Sequence, residues 1–409
     1  MLYDAYEMQR SMLASAGAMA NFSAGLLQNP ANPFAYLGGG SVMASALEVF
    51  AHAAATRGKP AFGLTHTVVD GRDVAVKEEI VLRKPFGQLK RFRREGMEGG
   101  PKLLIVAPMS GHYATLLRGT VERMLPVADV YITDWRDARL VPLHQGRFDL
   151  DDYVDYLVQF LESMADDGSP RAHMLAVCQP SVPSYAAVAL MSADRHPNRP
   201  LTLTMMGGPI DTREAPTAVN TLATERPHAW FQQNAIATVP VTYPGAGRQV
   251  YPGFLQLAGF MSMNLGNHMI SHWEMFKHLV RGDGESSQAT KDFYDEYRAV
   301  CDMTAEFYLQ TVELVFQTHA LPRGEMHHRG RRVDPAAITD VGLLAIEGER
   351  DDISGLGQTR AALTLATRLA DEKKRYYMAE GVGHYGIFNG SKWRTRIAPV
   401  MEEWMAANG

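Results

Sequence analysis

The chain has 409 residues, 46% of them hydrophobic, so it is long enough to bury the core of one elaborated domain or two modest ones. Its formal net charge of −5 provides no electrostatic basis for binding nucleic acid. The two cysteines, Cys178 and Cys301, argue against a disulfide framework and favour a reducing compartment. No apolar run reaches the length of about 18 residues that predicts a membrane span.

Residues 1–58 are predicted to form a helical extension, with helices near 2–27 and 41–56. The residues between the two helices are rich in Pro, Asn and Gly, which favour a break. Acidic Asp4 and Glu7 stand near the start of the first helix, whereas a secretory signal peptide begins with positive charge. We therefore expect a mature helix and not a signal peptide.

A β-hairpin is predicted within residues 62–82, because Asp70-Gly71 separates two β-rich segments. Both central positions of a type I′ turn need positive φ, which Asp and Gly tolerate. The basic run 90–94 that follows is interpreted as part of a solvated linker ending at Gly99-Gly100.

From residue 102 onward, strands and helices alternate, which is typical of βαβ units and of a largely parallel sheet. The predicted strands are 102–107, 127–133, 172–177, 201–206, 341–347 and 374–378. The predicted helices lie near 113–126, 151–165 and 357–370, with a last helix from about 392. Residues 210–334 interrupt this alternation and are interpreted as a mostly helical cap, with Cys301 as a structural thiol on one of its helices.

One predicted strand runs directly into Cys178, and a helix is predicted to begin just after it. Such a sharp turn raises a nucleophile above the sheet, and the N–H of the next residue, here Gln179, helps to form an oxyanion hole. Pro180 and Pro183 fall in the first helical turn, where a backbone N–H has no partner within the helix. The segment 176–180 lacks both glycines of the usual G-x-S-x-G pattern, so a buried thiol at a strand end is an equal alternative at this point.

Two further strand ends carry the partners that a nucleophilic cysteine needs. His384 stands in a Gly-Val-Gly-His-Tyr-Gly loop after strand 374–378 and can act as the base. Asp351 and Asp352 follow strand 341–347, and either carboxylate can orient the imidazole. The order nucleophile, acid, histidine is that of the α/β-hydrolases, which favours a triad. We choose Asp351 as the acid, with Asp352 as a helix N-cap or loop residue.

The loop after strand 102–107 is predicted to supply the second oxyanion donor, from the N–H of Met109 or Ser110. An ordinary strand-to-helix turn is the alternative interpretation. Four residues are assigned as substrate contacts: Gly111, His112, Trp273 and Tyr385. No metal is predicted, because the i, i+4 pair His268 and His272 lacks a third ligand at a motif distance.

These observations predict an α/β-hydrolase fold with a mostly parallel central sheet flanked by helices. Its core is expected to comprise residues 59–209 and 335–409, with the cap at 210–334 inserted between them and the helical extension at 1–58.

Four segments carry a resemblance to a known family. They are the first ten residues, Val-Cys-Gln-Pro around Cys178, Glu-Gly-Glu-Arg-Asp-Asp-Ile-Ser-Gly-Leu-Gly-Gln-Thr from 347, and Gly-Val-Gly-His-Tyr-Gly-Ile-Phe-Asn-Gly from 381. Together they resemble the intracellular polyhydroxyalkanoate depolymerases. The resemblance implies a cysteine-dependent α/β-hydrolase that cleaves the ester bonds of poly(3-hydroxybutyrate) stored in cytoplasmic granules. It also implies the roles of nucleophile, acid and base for Cys178, Asp351 and His384. The related polyester synthases surround their cysteine with glycines, a pattern from which Ala176 and Pro180 depart.

The implied reaction passes through an acyl thioester on Cys178. No cofactor is required, and the acceptor of the acyl group is either water or coenzyme A, for which no motif is legible. A synthase-like acyltransferase and a non-catalytic granule-binding protein are the alternatives. The expected partner is the granule surface, without integral membrane association. Packing of the N-terminal helix on the core or on a second subunit of a homodimer is favoured over a position on the granule.

Overall fold

The computed structural model describes residues 2–29, 31, 40–97, 99–165, 171–263, 277, 291 and 294–409. The strands of this part of the chain are β1 His66–Val69, β2 Arg72–Lys84, β3 Gly87–Arg94, β4 Lys102–Val106, β5 Asp129–Trp135, β6 His173–Val177, β7 Thr202–Met206, β8 Ala237–Thr238, β9 Gln249–Tyr251, β10 Met303–Thr304, β11 His327–His328, β12 Arg331–Arg332, β13 Gly342–Gly348 and β14 Lys374–Ala379. Nine of them form the central sheet, in the order β1-β2-β3-β5-β4-β6-β7-β13-β14.

The central sheet has an antiparallel edge and a parallel centre. The pairs β1–β2, β2–β3 and β3–β5 are antiparallel, and each pair from β5–β4 to β13–β14 is parallel. Every residue of β4, β6, β7 and β13 is buried, as in parallel strands that are covered on both faces. The strands that precede Cys178, Asp351 and His384 lie within four adjacent positions, β6-β7-β13-β14. The predicted α/β-hydrolase fold is therefore confirmed.

The α-helices of the described residues flank this sheet or lie in the segments at its ends. They are α1 Leu2–Gln28, α2 Gly40–Ala54, α3 Arg118–Met124, α4 Leu150–Met164, α5 Ser181–Ala193, α6 Ala218–Glu225, α7 His228–Asn234, α8 Gly253–Met263, α9 Ala305–Thr311, α10 Ala361–Leu365, α11 Gly390–Lys392 and α12 Ala398–Ala407. A π-helical turn, Val312–Gln317, extends α9, and another, Trp393–Ile397, joins α11 to α12. The helix expected near 357–370 is reduced to the short α10.

The predicted hairpin joins β1 to β2. Asp70 and Gly71 have φ values of +49° and +75°, as a type I′ turn requires. The prediction of a solvated linker over residues 90–94 is wrong, because these residues belong to β3. Carboxylates on the neighbouring strands compensate their charges: Lys90 pairs with Glu78 at 3.0 Å, and the side chain of Arg91 pairs with Asp129 at 2.9 Å.

The carboxyl end of β4 is held firmly in the core. The carbonyl of Ala107 accepts hydrogen bonds from the indole of Trp135 at 2.8 Å and from the hydroxyl of Tyr153 at 3.3 Å. Its N–H donates to the hydroxyl of Thr133 at 2.9 Å. The loop that follows β4 therefore starts from a fixed position.

The segment between β7 and β13 contains α6 to α9, the three-stranded sheet β10-β9-β8 and the pair β11-β12. Cys301 lies here, but not on a helix as predicted. It follows an isolated bridge between Val300 and His112, and its N–H donates to the carbonyl of Gly111 at 2.8 Å. The thiol is buried, 2% exposed, which agrees with a structural role.

The N-terminal helices α1 and α2 pack against each other and are tied to this segment. A Cβ atom at Gly17 would lie 2.9 Å from that of Ala54, so the two helices are in close contact. The hydroxyl of Tyr3 donates to Asp302 at 2.6 Å, and Tyr6 stacks on Phe254 with ring centroids 3.8 Å apart. Over the described residues, no helix combines the length and the apolar character that crossing a membrane requires.

Candidate active site

Cys178 occupies a strained turn between β6 and α5. Its φ is +66°, a left-handed conformation that costs a residue with a side chain about 1–3 kcal/mol. Two backbone hydrogen bonds hold the turn: the N–H of Cys178 donates to Met206 at 2.7 Å, and the N–H of Ser181 donates to Cys178 at 3.0 Å. Pro180 is the N-cap of α5 and Pro183 lies in its first turn, as expected. The geometry is that of a nucleophile elbow.

The two thiols differ in their surroundings. Cys178 is partly exposed and lines a cavity, whereas burial and the charge of Asp137 raise the pKa of Cys301 well above its ordinary value. Reactive cysteines lie in accessible positions near a base, and buried ones are inert. The alternative of a buried structural thiol therefore describes Cys301 and not Cys178.

His384 begins a short 3-10 turn after β14 and faces Asp351. Its Nδ1 donates to Oδ2 of Asp351 at 2.7 Å, while Oδ1 of the same carboxylate accepts the N–H groups of Ile353 at 2.9 Å and Ser354 at 2.8 Å. Both carboxylate oxygens are thus engaged, and the side chain of Asp351 is fully buried. Asp352, in contrast, is exposed, so the structure brings Asp351 to the imidazole.

The charges around His384 favour its protonated form. Burial lowers the pKa of His384, but the negative charges of Asp351 and Cys178, together with the hydrogen bond to Asp351, outweigh burial and raise the pKa well above its usual value. An imidazole that is oriented by a carboxylate and lies on the nucleophile's side of the sheet can act as the base for a thiol. His384 is therefore placed to serve Cys178 as a base.

Two glycines after β7 make room for this arrangement. Gly207 has φ +57°, and a Cβ there would lie 3.1 Å from Asp351 Oδ2 and 3.1 Å from His384 Cε1. A Cβ at Gly208 would lie 2.1 Å from the hydroxyl oxygen of Ser181, at the start of α5. The sequence analysis predicted a strand that ends at 206 and assigned no role to the glycine pair that follows it. Consecutive glycines after a buried strand could have indicated a close approach of other groups to the backbone.

The predicted oxyanion donors lie beside Cys178. The N–H of Met109 donates to the side-chain oxygen Oε1 of Gln179 at 3.3 Å, so the β4 loop and the elbow are in direct contact. Met109, Ser110 and Gln179 all line the cavity that Cys178 lines. The backbone N–H groups of 179 and of 109 or 110 are the donors that this arrangement offers to an oxyanion.

The assigned substrate contacts have different positions. Gly111, at φ +91°, packs against Gln256, whose Cγ would lie 2.9 Å from a Cβ at 111. His112 is buried, its Nε2 lies 3.0 Å from the carbonyl of Tyr297, and burial lowers its pKa to about 4. It therefore holds the loop in place and is not a described part of the cavity wall. Trp273 lies outside the described residues.

Tyr385 adjoins the triad without lining the described cavity wall. Its ring makes edge contacts with His384 at 5.9 Å and with Tyr297 at 5.8 Å between centroids. Burial, followed by the charges of Tyr297 and Cys178, raises its pKa well above the ordinary value, so the hydroxyl stays neutral. Tyr385 thus packs beside the imidazole as a buried phenol.

A largely apolar cavity of about 420 Å³ extends from the sulfur of Cys178. Part of its wall is a stacked pair, Tyr251 and Tyr308, with centroids 3.9 Å apart. The other apolar residues in its described wall are Met109, Pro209, Ala218, Val219, Leu222, Ala223, Phe231, Met303, Phe307, Val312, Phe316 and Ile353. We call this cavity the acyl chamber, because it can receive an apolar chain attached to a carbonyl at the sulfur.

Part of the chain matches a known protein family. Residues 207–409 match the family model described as PHB de-polymerase C-terminus. These residues belong to the PHB de-polymerase family. Asp351 and His384 lie inside the matched region, which begins directly after β7, and Cys178 precedes it. The resemblance to this family is confirmed for the segments from 347 and from 381, and the protein is a hydrolase of carboxylic esters.

Solved structures of several hydrolases are similar to this chain at low identity. A 2-hydroxy-6-oxo-6-phenylhexa-2,4-dienoate hydrolase from Rhodococcus sp. strain RHA1 is 12% identical with a TM-score of 0.45, covering 81% of this chain and 99% of its own. Naproxen esterase from Bacillus subtilis is 14% identical with a TM-score of 0.43, over 81% and 92%. A thermophilic esterase from Thermogutta terrifontis is 13% identical with a TM-score of 0.41, over 84% and 97%. Among curated proteins, no sequence matches the chain.

Most of the acyl chamber comes from the PHB de-polymerase region. Its described wall includes residues of α6, α7, α8 and α9, and sequence reasoning named none of them as site residues. In the sequence these wall residues were indicated only by a high content of Met, Phe and Tyr in the segment, and such a composition is equally typical of a cap's own core. Within the described residues, no group of three His, Cys, Asp or Glu side chains could hold a metal ion, and His268 and His272 fall outside that part of the chain.

Proposed function

We propose that the protein is a depolymerase of stored polyhydroxyalkanoate that works through a thioester on Cys178 and acts on granules in the cytoplasm. The observation that carries the proposal is the strained elbow of Cys178, which opens on the apolar acyl chamber beside an imidazole held by Asp351. The family match supports ester cleavage, and the resemblance of the sequence motifs supports the polymer as substrate.

The first half of the reaction transfers the acyl group to sulfur. The Cys178 thiolate attacks the ester carbonyl carbon, so that a C–S bond forms and the carbonyl oxygen becomes an oxyanion. The N–H groups of Gln179 and of Met109 or Ser110 stabilise that oxyanion. The C–O bond then breaks, and His384 gives the proton that it took from the thiol to the departing hydroxyl of the shortened chain.

The second half releases the acyl group to an acceptor. His384 removes a proton from water or from the thiol of coenzyme A, and the acceptor attacks the thioester carbonyl while sulfur leaves as thiolate. Water yields a free 3-hydroxy acid or oligomer, and coenzyme A yields its thioester. Asp351 stabilises the imidazolium in both halves because it accepts the Nδ1 proton.

The acyl chamber suits an uncharged polyester. Its described wall consists mainly of aliphatic and aromatic side chains and contains only a few polar ones, such as Gln256 and Ser354. An apolar pocket with a small number of polar groups is the usual form of a site for an uncharged ligand. A polyester segment, which carries no charge, therefore fits the chamber without burying an unpaired charged group.

The test is degradation of amorphous poly(3-hydroxybutyrate) granules by wild type, Cys178→Ala and Cys301→Ala, each with and without coenzyme A, followed by mass spectrometry of the products. Cys301→Ala is the matched control, since it removes the second thiol, which lies outside the described wall of the acyl chamber. We expect activity to be abolished only by Cys178→Ala. Full activity of Cys178→Ala would overturn the thioester mechanism, and the mass of the product identifies the acceptor.

A further inference from the structure

Helix α1 has an inner and an outer face of different composition. Its buried residues, Tyr3, Gly17, Ala20 and Ala24, form a seam, and Gly17 lies against Ala54 of α2. Small side chains in this seam allow α1 and α2 to approach closely. The inner face thus satisfies the packing that the sequence predicts for this helix.

Large apolar side chains stand on the opposite face of α1 and are exposed to solvent. They recur at intervals of three, four and seven residues, which places them in a single stripe along the helix. Their exposed fractions range from 45% to 72%: Met8, Met12, Met19, Phe22 and Leu26. We call these five residues the outer stripe. An apolar patch of this kind on a soluble protein is often an interaction site.

Four of the five residues of the outer stripe, all but Met8, lie on an uncharged part of the chain. Residues 11–28 contain no Asp, Glu, Lys, Arg or His. Helix α2 adds the exposed apolar side chains of Val42, Met43 and Phe50 to the same pair of helices. A partner for this surface therefore offers apolar contact and needs no charge.

The stripe is connected to the acyl chamber through α8. Tyr6, on α1, stacks on Phe254 at the start of α8, and Gln256 of the same helix lines the chamber that Cys178 lines. The hydrogen bond from Tyr3 to Asp302 fixes the same end of α1. The outer stripe is thus connected to the acyl chamber through packed side chains.

We propose that the outer stripe docks the enzyme on the surface of the polyester granule, an inference that rests on the proposed function. The charge and the size of the stripe favour this partner. The polyester is uncharged along its length, as the stripe is, and flexible Met side chains adapt to an irregular amorphous surface.

A second copy of the chain fits the stripe less well. From Met8 to Leu26 the stripe is about 27 Å long and about 10 Å wide, or roughly 300 Å². Stable protein interfaces bury about 800 Å² on each partner. The stripe is therefore too small for a stable dimer interface, which favours the granule surface as its partner.

The test compares Met19→Lys/Phe22→Lys with a control that places the same two charges on the exposed flanks of α1, Ala16→Lys/Asn21→Lys. Binding to amorphous granules is measured by sedimentation in a Cys178→Ala background, so that the polymer is not consumed. Hydrolysis of a soluble 3-hydroxybutyrate trimer is measured with Cys178 intact. We expect the stripe variant to lose granule binding about ten-fold or more, while trimer hydrolysis stays within about two-fold and the flank control binds like the parent.

Unchanged sedimentation of the stripe variant would overturn the proposal. So would a change from dimer to monomer in light scattering with granule binding retained, because a second copy would then be the occupant of the stripe. Met12→Lys/Leu26→Lys serves as an independent second variant, and trimer hydrolysis shows that each protein is folded. Failure of the proposed function gives a different result: the trimer would be hydrolysed as fast by Cys178→Ala as by wild type.

Discussion

Oδ2 of Asp351 accepts a hydrogen bond from the Nδ1–H of His384, with 2.7 Å between Nδ1 and Oδ2, while Oδ1 accepts hydrogen bonds from two backbone N–H groups of the following turn. The carboxylate is therefore fixed by its own loop before it orients the imidazole. This relationship distinguishes Asp351 from its neighbour Asp352 and leads to the first prediction.

Asp351→Asn should lower kcat by about 10³- to 10⁴-fold, because an amide stabilises the wrong imidazole tautomer and carries no charge to stabilise the imidazolium. The matched control is Asp352→Asn, an exposed position where kcat should change less than about two-fold. Steady-state kinetics on a soluble 3-hydroxybutyrate oligomer measures both. Equal losses in the two variants would contradict the assignment of the acid.

Gly207→Ala should abolish most activity. A Cβ at 207 meets Asp351 Oδ2 and His384 Cε1 at 3.1 Å and Ile387 Cδ1 at 2.7 Å, so the imidazole must shift. A shift of about 1 Å in a catalytic group costs about 100-fold in rate. Gly63→Ala is the control, since Gly63 also has positive φ, at +63°, but an added Cβ there meets no atom within 4 Å. Gly63→Ala should lose about 1 kcal/mol of stability through its positive φ, Gly207→Ala should lose more because it also overpacks the site, and only Gly207→Ala should lose activity.

Gln179→Glu should lower kcat by about 100- to 1,000-fold. The side-chain oxygen of Gln179 already accepts the N–H of Met109, and a carboxylate at this place would hold that N–H more strongly and repel an oxyanion. Gln179→Met keeps the length of the side chain and removes the acceptor, so its kcat should stay close to that of wild type. Comparison of kcat for the two variants on one substrate decides whether this N–H serves the oxyanion.

Asp302 should link stability to pH. Burial, followed by the charge of Asp137, raises its pKa from 3.8 to about 6. The folded state thus binds this proton more tightly than the unfolded chain. The contribution to stability is fully present below about pH 4 and is lost as the pH rises through about 6.

Removing this carboxyl should flatten the pH dependence. Relative to wild type, Asp302→Asn should gain about 2 kcal/mol in the free energy of unfolding between about pH 4 and pH 7. Urea unfolding across that range measures the gain. Tyr3→Phe is the control, because it removes the hydrogen bond to Asp302 but leaves the titrating group in place. Parallel pH profiles for wild type and Asp302→Asn would show that Asp302 is not the linked group.

The strand ends of the catalytic core could be predicted because buried parallel strands have a strong sequence signal. Cys178 directly follows β6, and Asp351 and His384 follow β13 and β14 through short loops, so their order along the chain predicted a common edge of the sheet. The run 90–94 was misinterpreted because its charges hide the inward-facing Phe92, which is fully buried in β3. Its pairing depends on Glu78 and Asp129, residues that are distant in sequence.

The acyl chamber could not be predicted for a related reason. Phe231, Tyr251 and Phe307 come from three separate elements of the segment between β7 and β13, and their meeting depends on how those elements fold back over the sheet. An aromatic side chain that lines a cavity and one that fills a core look the same in a single sequence. His112 shows the opposite error. It was assigned as a substrate contact because it stands in the predicted oxyanion loop, but it is buried and lies against the carbonyl of Tyr297.

The pair Gly207-Gly208 changes how relatives of this enzyme should be recognised. The usual elbow obtains its clearance from small residues two places before and after the nucleophile, positions that Ala176 and Pro180 fill here. In this chain the segment after the neighbouring strand supplies the clearance instead, since the missing side chains of the glycine pair that follows β7 leave space for Ser181 and for the imidazole. A pattern search confined to the nucleophile's own segment would overlook this chain, whereas one that joins a Val-Cys-Gln-Pro turn to a later Gly-Gly-Pro would include it.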